Sequence, residues 1–243
     1  MTSLVKARGL AIPGRLEETN LSLDPGQLVC LVGPNGSGKT SLLHALAGIG
    51  PSMGEVTIDG VHPKGLPPGR RQRLFSYLPA SRDIKWLLTA RDLIDLGLPP
   101  GAEGAGIVAE LELAGMMERR VDRLSTGERS RVLIARTLAP EPRLLLLDEP
   151  SANLDPLWQL KLMDLLRRLV RSGERAALVA VHDLEVARAY ADRLIIMKDG
   201  CIHADGDPEP LLKSPHIPAV FGIERRAGSW RPAKRRADPQ SSP

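Results

Sequence analysis

A glycine-rich octapeptide constrains the folding of this chain more than any other feature. It runs from Gly33 to Thr40 and fits the pattern G-x-x-x-x-G-K-[ST]. The apolar run 28–32 before it suits a strand buried on both faces, and residues 39–47 are typical of a helix that stops at Gly48. Glycines let backbone N–H groups curl around phosphate oxygens, and a helix N-terminus adds positive potential. The octapeptide therefore predicts a strand, a phosphate-binding loop and a helix in succession.

Two side chains at the end of the octapeptide complete the predicted phosphate site. Lys39 would reach the β- and γ-phosphates of a nucleoside triphosphate, and the hydroxyl of Thr40 would bind Mg²⁺. A chance glycine-rich loop is the alternative, but the strand before it and the helix after it favour phosphate binding. The candidate nucleotide-binding residues here are Gly33, Pro34, Asn35, Gly36, Ser37, Gly38, Lys39, Thr40 and Ser41.

Two acidic residues follow the apolar run 144–147. In a protein with a phosphate-binding loop, an acid at the end of a buried strand marks the second contact to Mg²⁺. Asp148 would hold the metal through water, and Glu149 would polarise an attacking water molecule. The alternative is a pair of surface carboxylates at a strand end.

Residues 124–128, Leu-Ser-Thr-Gly-Glu, lie upstream of these acids and just before a helical run. Ser125 and Gly127 make this segment a second candidate anion site at the N-terminus of a helix. By itself the segment is more typical of an ordinary helix N-cap.

Strand-like and helix-like stretches alternate along the chain. The alternation predicts an α/β fold with a mostly parallel sheet and helices on its faces. Thr89 is expected to cap a short helix, and 108–117 has helical periodicity, so residues from about 83 to 130 are predicted to form a helical insertion. Asp155 followed by Pro156 predicts the start of another helix.

Charge and cysteine content exclude some classes of protein. The net charge is +4, but six basic residues and one acidic residue lie in 225–243, so the rest of the chain is near neutral. Charge therefore gives no argument for nucleic-acid binding, and we expect the basic tail to be disordered. Cys30, in an apolar run, and Cys201 exclude a disulfide framework and favour a reducing compartment. No signal peptide is visible, and no apolar run approaches the ~18 residues that span a bilayer.

Five motifs in a fixed order identify a family. The octapeptide, residues 124–128, the acidic strand end, residues 151–155 and His182 closely resemble those of the ATP-binding cassette (ABC) ATPases. The resemblance covers about 3–212. It implies a P-loop NTPase core with a mostly parallel sheet, an N-terminal antiparallel β portion and a helical insertion subdomain, all within an ABC ATPase domain of residues 1–224. It also implies that ATP and Mg²⁺ are the cofactors.

The resemblance implies roles that the residues alone do not. His182 is similar to the switch histidine that senses the γ-phosphate, and it joins Glu149 as a catalytic candidate. Asp155 is similar to the residue that links two sites across a dimer. Such cassettes act as head-to-tail dimers with two ATP molecules between them. The family signature, which contacts ATP held by the second subunit, corresponds to Ser125, Thr126, Gly127 and Glu128.

Two departures from the family pattern affect the nucleotide contacts. The signature usually reads Ser-Gly-Gly-Gln, so Thr126 adds a Cβ and Glu128 adds a negative charge. Residues 1–30 contain no aromatic side chain that could stack on adenine. The alternatives for contacting adenine are Arg15, which could stack through its guanidinium plane, and Ile12, which could pack against the base.

A third departure follows the strand expected at 74–78. The family has a glutamine there that contacts Mg²⁺ or the attacking water, whereas this chain has Ala80, which leaves Ser81 or water to complete the metal's ligands. The loop around Ala80 and the helical insertion would pass motion to membrane partners. Trp86, just beyond this loop, is expected either to face such a partner or to lie in the core.

The resemblance implies the ATP-hydrolysing subunit of an ABC membrane transporter. Its partners would be a second copy of itself, integral membrane permease subunits and a substrate-binding protein, and it would lie peripherally on the cytoplasmic face of the inner (plasma) membrane. Residues 88–94 are most similar to importers of iron-siderophores, haem and cobalamin. An ABC exporter ATPase and a soluble ABC ATPase of translation or DNA repair are the alternatives. The single cassette without a heptad run argues against the soluble class, and no nucleic-acid partner is expected.

Overall fold

Strands and helices alternate along most of the chain, as the sequence predicts. The computed structural model describes residues 3–82, 87–98, 102, 104–226 and 228–233. The strands are β1 (Val5–Ile12), β2 (Leu16–Leu23), β3 (Leu28–Val32), β4 (Met53–Ile58), β5 (Phe75–Leu78), β6 (Leu144–Asp148), β7 (Ala176–Ala180), β8 (Arg193–Lys198), β9 (Cys201–Gly206), β10 (Ile223–Arg226) and β11 (Ser229–Pro232). The helices are α1 (Lys39–Ala47), α2 (Pro68–Leu74), α3 (Ala90–Asp95), α4 (Ala105–Glu110), α5 (Thr126–Leu138), α6 (Pro156–Arg171), α7 (Leu184–Tyr190), α8 (Pro208–Leu212) and α9 (His216–Phe221).

The central sheet has six strands in the order β5-β6-β7-β3-β8-β9, all parallel except β9. Every residue of β3, β6 and β7 is buried, and all of them are apolar except Asp148 at the end of β6, as expected for strands covered on both faces. Parallel strands end at the same edge of a sheet. The octapeptide after β3, the Ala80 loop after β5, the acidic pair at the end of β6 and His182 after β7 therefore all lie at one edge.

A second sheet, antiparallel and three-stranded in the order β2-β1-β4, covers one face of the central sheet. Its apolar residues, including Leu10 and Leu23, share a buried cluster with Leu42 of α1 and with Leu31 and Leu146 of the central sheet. A second cluster fills the other face, where α5, α6 and α7 pack. The predicted α/β class with an N-terminal antiparallel portion is confirmed.

The first helix of the helical segment begins after Thr89, as the sequence predicts, but the segment divides differently beyond it. Thr89 caps α3: its hydroxyl accepts the Asp92 N–H at 3.1 Å, and the Asp92 carboxylate accepts the Thr89 N–H at 2.9 Å. The helical periodicity of 108–117 does not give one helix, because α4 ends at Glu110 and Glu112 adopts a left-handed φ of 51°. A short 3₁₀ turn, Ala114–Met116, follows. The limits of the insertion, about 83–130, stay a prediction.

The start of the basic tail is ordered, which corrects the expectation of disorder from residue 225. Strands β10 and β11 form an antiparallel hairpin. Two of its side chains bind Glu185 of α7: the indole N–H of Trp230 donates at 3.0 Å, and Arg225 forms an ion pair at 3.3 Å. Trp230 also packs against the main core cluster. The rest of the predicted tail, 234–243, lies outside the described residues.

Three smaller expectations have separate outcomes. Cys30 is buried in β3, and burial, with the charge of Asp192, raises its pKa to about 12, so its thiol does not ionise near neutral pH. In the part of the chain that the structure covers, no helix is both long enough and apolar enough to span a membrane. Trp86, expected at a partner surface or in the core, lies outside the described residues.

Candidate active site

The octapeptide forms a curved loop between β3 and α1 whose backbone requires glycine. Gly38 has a φ of 99° and Gly36 a φ of 81°. A Cβ at Gly38 would lie 3.1 Å from the Cα of Gly200, and a Cβ at Gly33 would lie 2.5 Å from the carbonyl oxygen of Met197. Side chains at these positions would clash or force the loop open. The loop can therefore wrap an anion with its own backbone N–H groups.

Lys39 lies buried inside this loop. Its ammonium group donates to the carbonyl oxygens of Gly33, at 2.8 Å, and Pro34, at 3.3 Å. Burial lowers the pKa of Lys39, while the charges of Glu149 and Asp148 act in the opposite direction. A phosphate group in the loop would supply further negative charge to this buried cation and stabilise its charged form.

The loop opens into a cavity of about 680 Å³. None of the described residues that line this cavity is aromatic. Arg15 lines the cavity, whereas Ile12 packs against the cluster under the second sheet. Of the two alternatives for adenine, the structure brings Arg15 to the cavity. The lining residues are Gly14, Arg15, Glu17, Asn35, Gly36, Ser37, Gly38, Lys39, Thr40, Ser41, Glu149, Asp199 and Gly200.

The two candidate metal ligands are in direct contact. The Thr40 hydroxyl donates to Oδ2 of Asp148 at 2.7 Å, and Asp148 is fully buried. Among the described residues, Oδ1 of Asp148 and Oγ of Ser37 are buried without a hydrogen-bond partner. Burial raises the pKa of Asp148, the Thr40 hydrogen bond opposes this, and the charge of Glu149 raises it further. A hydroxyl and a carboxylate with a free oxygen are hard oxygen ligands, so these residues fit Mg²⁺.

Glu149 lines the cavity and contacts His182. Nε2 of His182 lies 2.5 Å from Oε1 of Glu149. The two side chains come from neighbouring strands, and the backbone N–H of Glu149 donates to the Ala180 carbonyl at 3.1 Å. Glu149 has a left-handed φ of 51°, a conformation that residues with a Cβ rarely adopt. The structure thus brings together both residues that the sequence singles out as catalytic.

Arg82 is a residue that the sequence analysis missed. It follows β5, two positions beyond Ala80, and only 7% of it is exposed. Its Nη2 donates to the carbonyl oxygens of Glu149, at 3.0 Å, and Asp148, at 3.5 Å. The only available signal is its position in the loop that lacks the family glutamine.

The signature segment forms a capping box at the start of α5. The Ser125 hydroxyl accepts the Glu128 N–H at 3.3 Å, and Oε2 of Glu128 accepts the Ser125 N–H at 2.8 Å. Oε1 of Glu128 also accepts a hydrogen bond from Arg119 at 3.2 Å. This geometry is compatible with both interpretations of the segment, an ordinary N-cap and an anion site. Ser125 is an N-cap, and Thr126 and Gly127 follow it at the helix N-terminus.

Asp155 likewise caps a helix, because its carboxylate accepts the N–H of Trp158 at 3.0 Å at the start of α6. Neither Asp155 nor the signature segment lines the cavity described above. Within one chain, the structure brings together the octapeptide, Asp148, Glu149 and His182. It leaves the signature and Asp155 elsewhere on the surface.

Comparison with known proteins agrees with this geometry. The chain is 38% identical over 245 residues to the hemin import ATP-binding protein HmuV of Rhizobium meliloti, covering 92% of this chain and 93% of that protein. It is 35% identical over 225 residues to the cobalamin import ATP-binding protein BtuD of Halobacterium salinarum, covering 88% of this chain but 56% of that protein. The chain thus spans about half the length of this second relative.

A solved structure shares the fold. It is a dimeric ATP-binding cassette in a post-hydrolysis state bound to ADP and Pi, with a TM-score of 0.73 and 28% identity over 84% of this chain and 99% of that one. Residues 16–152 match the protein family described as ABC transporter. The chain belongs to the ABC transporter family, as the order of its motifs predicts.

Proposed function

We propose that this chain is the ATP-hydrolysing subunit of an ABC importer for haem, cobalamin or an iron chelate. The observation that carries the proposal is the pairing of Glu149 with His182 at the rim of a cavity floored by the octapeptide. The cavity accounts for ATP binding, and the pair accounts for hydrolysis.

Binding of ATP is assigned to the octapeptide. The backbone N–H groups of the loop and the ammonium of Lys39 bind the phosphates, with Arg15 the candidate for adenine stacking. Thr40 and Asp148 would hold Mg²⁺, the Asp148 contact running through its free Oδ1 or a water molecule. Mg²⁺, when bound, supplies positive charge that neutralises the phosphate oxygens.

Hydrolysis is assigned to Glu149. Its carboxylate accepts a proton from the attacking water, which makes the water oxygen a better nucleophile toward the γ-phosphorus. His182 contacts that carboxylate and holds its orientation, and a histidine at this position also lies within reach of a γ-phosphate oxygen in the family. Positioning by these two side chains supports an in-line attack.

A second copy of the chain would complete each site. The signature residues Ser125–Glu128 and Asp155 lie outside the cavity of their own chain, so a head-to-tail partner is needed to bring them to the nucleotide. The ATP-bound dimer would dock on integral membrane permease subunits, served by a substrate-binding protein, at the cytoplasmic face of the plasma membrane. The named relatives are import proteins, which favours import over the exporter and soluble alternatives.

The substitution Glu149→Gln tests the proposal. It removes the base and leaves the phosphate loop intact, so ATP hydrolysis by the purified chain should fall by about 10²–10⁴-fold. Binding of a fluorescent ATP analogue should stay within about threefold of the parent. Glu174→Gln, at an exposed site before β7, is the matched control and should hydrolyse ATP at the parental rate. Parental turnover by Glu149→Gln would remove Glu149 from its proposed role.

A further inference from the structure

Arg82 is buried in a place where a charged side chain is costly. Arginine is among the residues least often buried without a compensating partner. Here the guanidinium lies against the end of β6, beside the main chain of Asp148 and Glu149. Burial lowers the pKa of Arg82, and the charges of Asp148 and Glu149 oppose that effect.

The hydrogen bonds of Arg82 go to the main chain of Asp148 and Glu149, and to no carboxylate in the described part of the chain. Nη2 donates to the carbonyl of Glu149 at 3.0 Å, with a longer 3.5 Å contact to that of Asp148. Its Nε and Nη1 groups are buried without a hydrogen-bond partner among the described residues. Buried polar groups without partners are rare in native structures, and a part in catalysis is one of the reasons for which they are kept.

The carbonyl that Arg82 contacts belongs to a residue in an uncommon conformation. Glu149 has a φ of 51°, and its carbonyl also accepts the N–H of Ala152 at 3.1 Å. A left-handed backbone at a residue with a Cβ persists only where surrounding contacts hold it. The Arg82 contact is one of those that fix this turn, and the turn determines where the Glu149 carboxylate points.

We propose that Arg82 is a positioning residue for ATP hydrolysis, which holds the main chain of Glu149 so that its carboxylate stays beside His182. The proposal rests on the proposed function, in which Glu149 activates water. Arg82 itself makes no contact with the nucleotide in the proposed mechanism. It acts through the backbone of Glu149, from the loop in which Ala80 replaces the family glutamine.

A purely structural role for Arg82 makes a different prediction. If the guanidinium only joined the loop after β5 to the end of β6, its loss would lower stability and ATP affinity together. A positioning role lowers kcat and leaves KM and ATP affinity nearly unchanged, because the phosphate loop does not depend on Arg82.

The test uses Arg82→Met, which keeps an unbranched apolar stem and removes the donors, and Arg82→Lys, which keeps the charge and a single donor nitrogen. Misplacement of a catalytic group by about 1 Å costs up to about 10²-fold, so kcat should fall by about 10- to 100-fold in Arg82→Met and by less in Arg82→Lys. KM should change by less than about threefold in both. The matched control is Arg167→Met, since Arg167 also donates to a backbone carbonyl, that of Ala189 at 3.2 Å, and has a buried Nε without a partner in the described chain. Its kcat should match the parent.

Combining Arg82→Met with Glu149→Gln shows whether the two residues act as a unit. If Arg82 acts through Glu149, the double variant should hydrolyse ATP no more slowly than Glu149→Gln alone. Multiplying losses, or a parental kcat in Arg82→Met, overturns the positioning role. If Arg82→Met does not fold, Arg82→Lys decides, and a parental kcat in that variant overturns the proposal. Absence of ATP hydrolysis in the parent chain overturns the proposed function and this inference together, whereas hydrolysis that is insensitive to Arg82 overturns this inference alone.

Discussion

The negative charge of Glu128 should be neutralised by Arg119, and loss of Arg119 should weaken ATP-driven dimerisation. Glu128 stands where the family has glutamine. Its carboxylate accepts hydrogen bonds from the Ser125 N–H at 2.8 Å and from Arg119 at 3.2 Å. These contacts, the Ser125 backbone first, lower the pKa of Glu128, so it is ionised at neutral pH. In the proposed dimer an uncompensated charge here would repel the triphosphate of the other copy.

The expected loss of dimer stability in Arg119→Met follows from the exposure of the Arg119–Glu128 pair and from the symmetry of the proposed dimer. Arg119 is exposed and Glu128 is half-buried, so solvent screens the pair and its loss should cost the fold at most about 1 kcal/mol. An uncompensated negative charge about 4 Å from another negative charge repels it by about 1 kcal/mol in water-like surroundings. Two signature segments would face two nucleotides in the proposed dimer, so Arg119→Met should weaken the ATP-bound dimer by about 2 kcal/mol, or about 30-fold in the dimerisation constant.

Sedimentation of the hydrolysis-deficient Glu149→Gln chain with ATP and Mg²⁺ measures this constant directly. The Arg119→Met effect should be present at about 50 mM salt and mostly lost at about 500 mM, because salt screens exposed charges. Glu128→Gln should change dimerisation by less than about threefold and should suppress the effect of Arg119→Met. If Arg119→Met dimerises like its parent at low salt, or if Glu128→Gln alone strengthens the dimer about tenfold, the reasoning about neutralisation is refuted.

Two other substitutions test separate parts of the chain. Ala80→Gln should raise basal ATP hydrolysis several-fold, because it restores a polar group near the attacking water, and phosphate release that is equal in parent, Ala80→Gln and Ser81→Ala would contradict this. The hydrogen bond from Arg188 lowers the pKa of Glu185. The contact between Trp230 and the Glu185 carboxylate should therefore be fully formed above the usual glutamate pKa of about 4.3. It should be lost as the pH falls through the lowered pKa of Glu185. Trp230 emission should then shift to the red, and Glu185→Gln should remove the pH dependence; emission that follows pH equally in both would count against the contact.

The sequence predicted the elements whose cause is local or whose burial is complete. Strands β3, β6 and β7 were visible because a strand buried on both faces is a nearly continuous apolar run, which in β6 is broken only by its last residue, Asp148. Helix α1 was bounded by a glycine on each side, and Gly48 does adopt the left-handed conformation that ends it. Thr89 was found because a capping box lies within four consecutive residues.

Predictions from the sequence were wrong for elements that depend on distant partners or on single backbone conformations. The hairpin of β10 and β11 carries so many basic residues that its composition indicated disorder. Its order comes from Glu185, which is 40 residues from Arg225 and 45 from Trp230. The periodicity of 108–117 was real, but periodicity does not report the left-handed residue Glu112 that divides the segment.

The candidate site shows the same division between local and distant causes. The octapeptide could be recognised because its function lies in eight consecutive residues, whereas Arg82 reaches Glu149 across 67 positions. No spacing rule connects those two, and only the parallel order of β5 beside β6 brings them together.

The separation of the signature from the cavity has a physical explanation of the same kind. Ser125 and Asp155 both cap helices, α5 and α6, so each faces outward with backbone N–H groups at a helix N-terminus. A helix N-terminus attracts anions wherever it is exposed, yet neither residue lines the phosphate cavity of its own chain. If both bind nucleotide, the nucleotide must be held by another molecule. In the proposed dimer, each chain would therefore supply one part of its own site and one part of its partner's, so hydrolysis should depend on protein concentration.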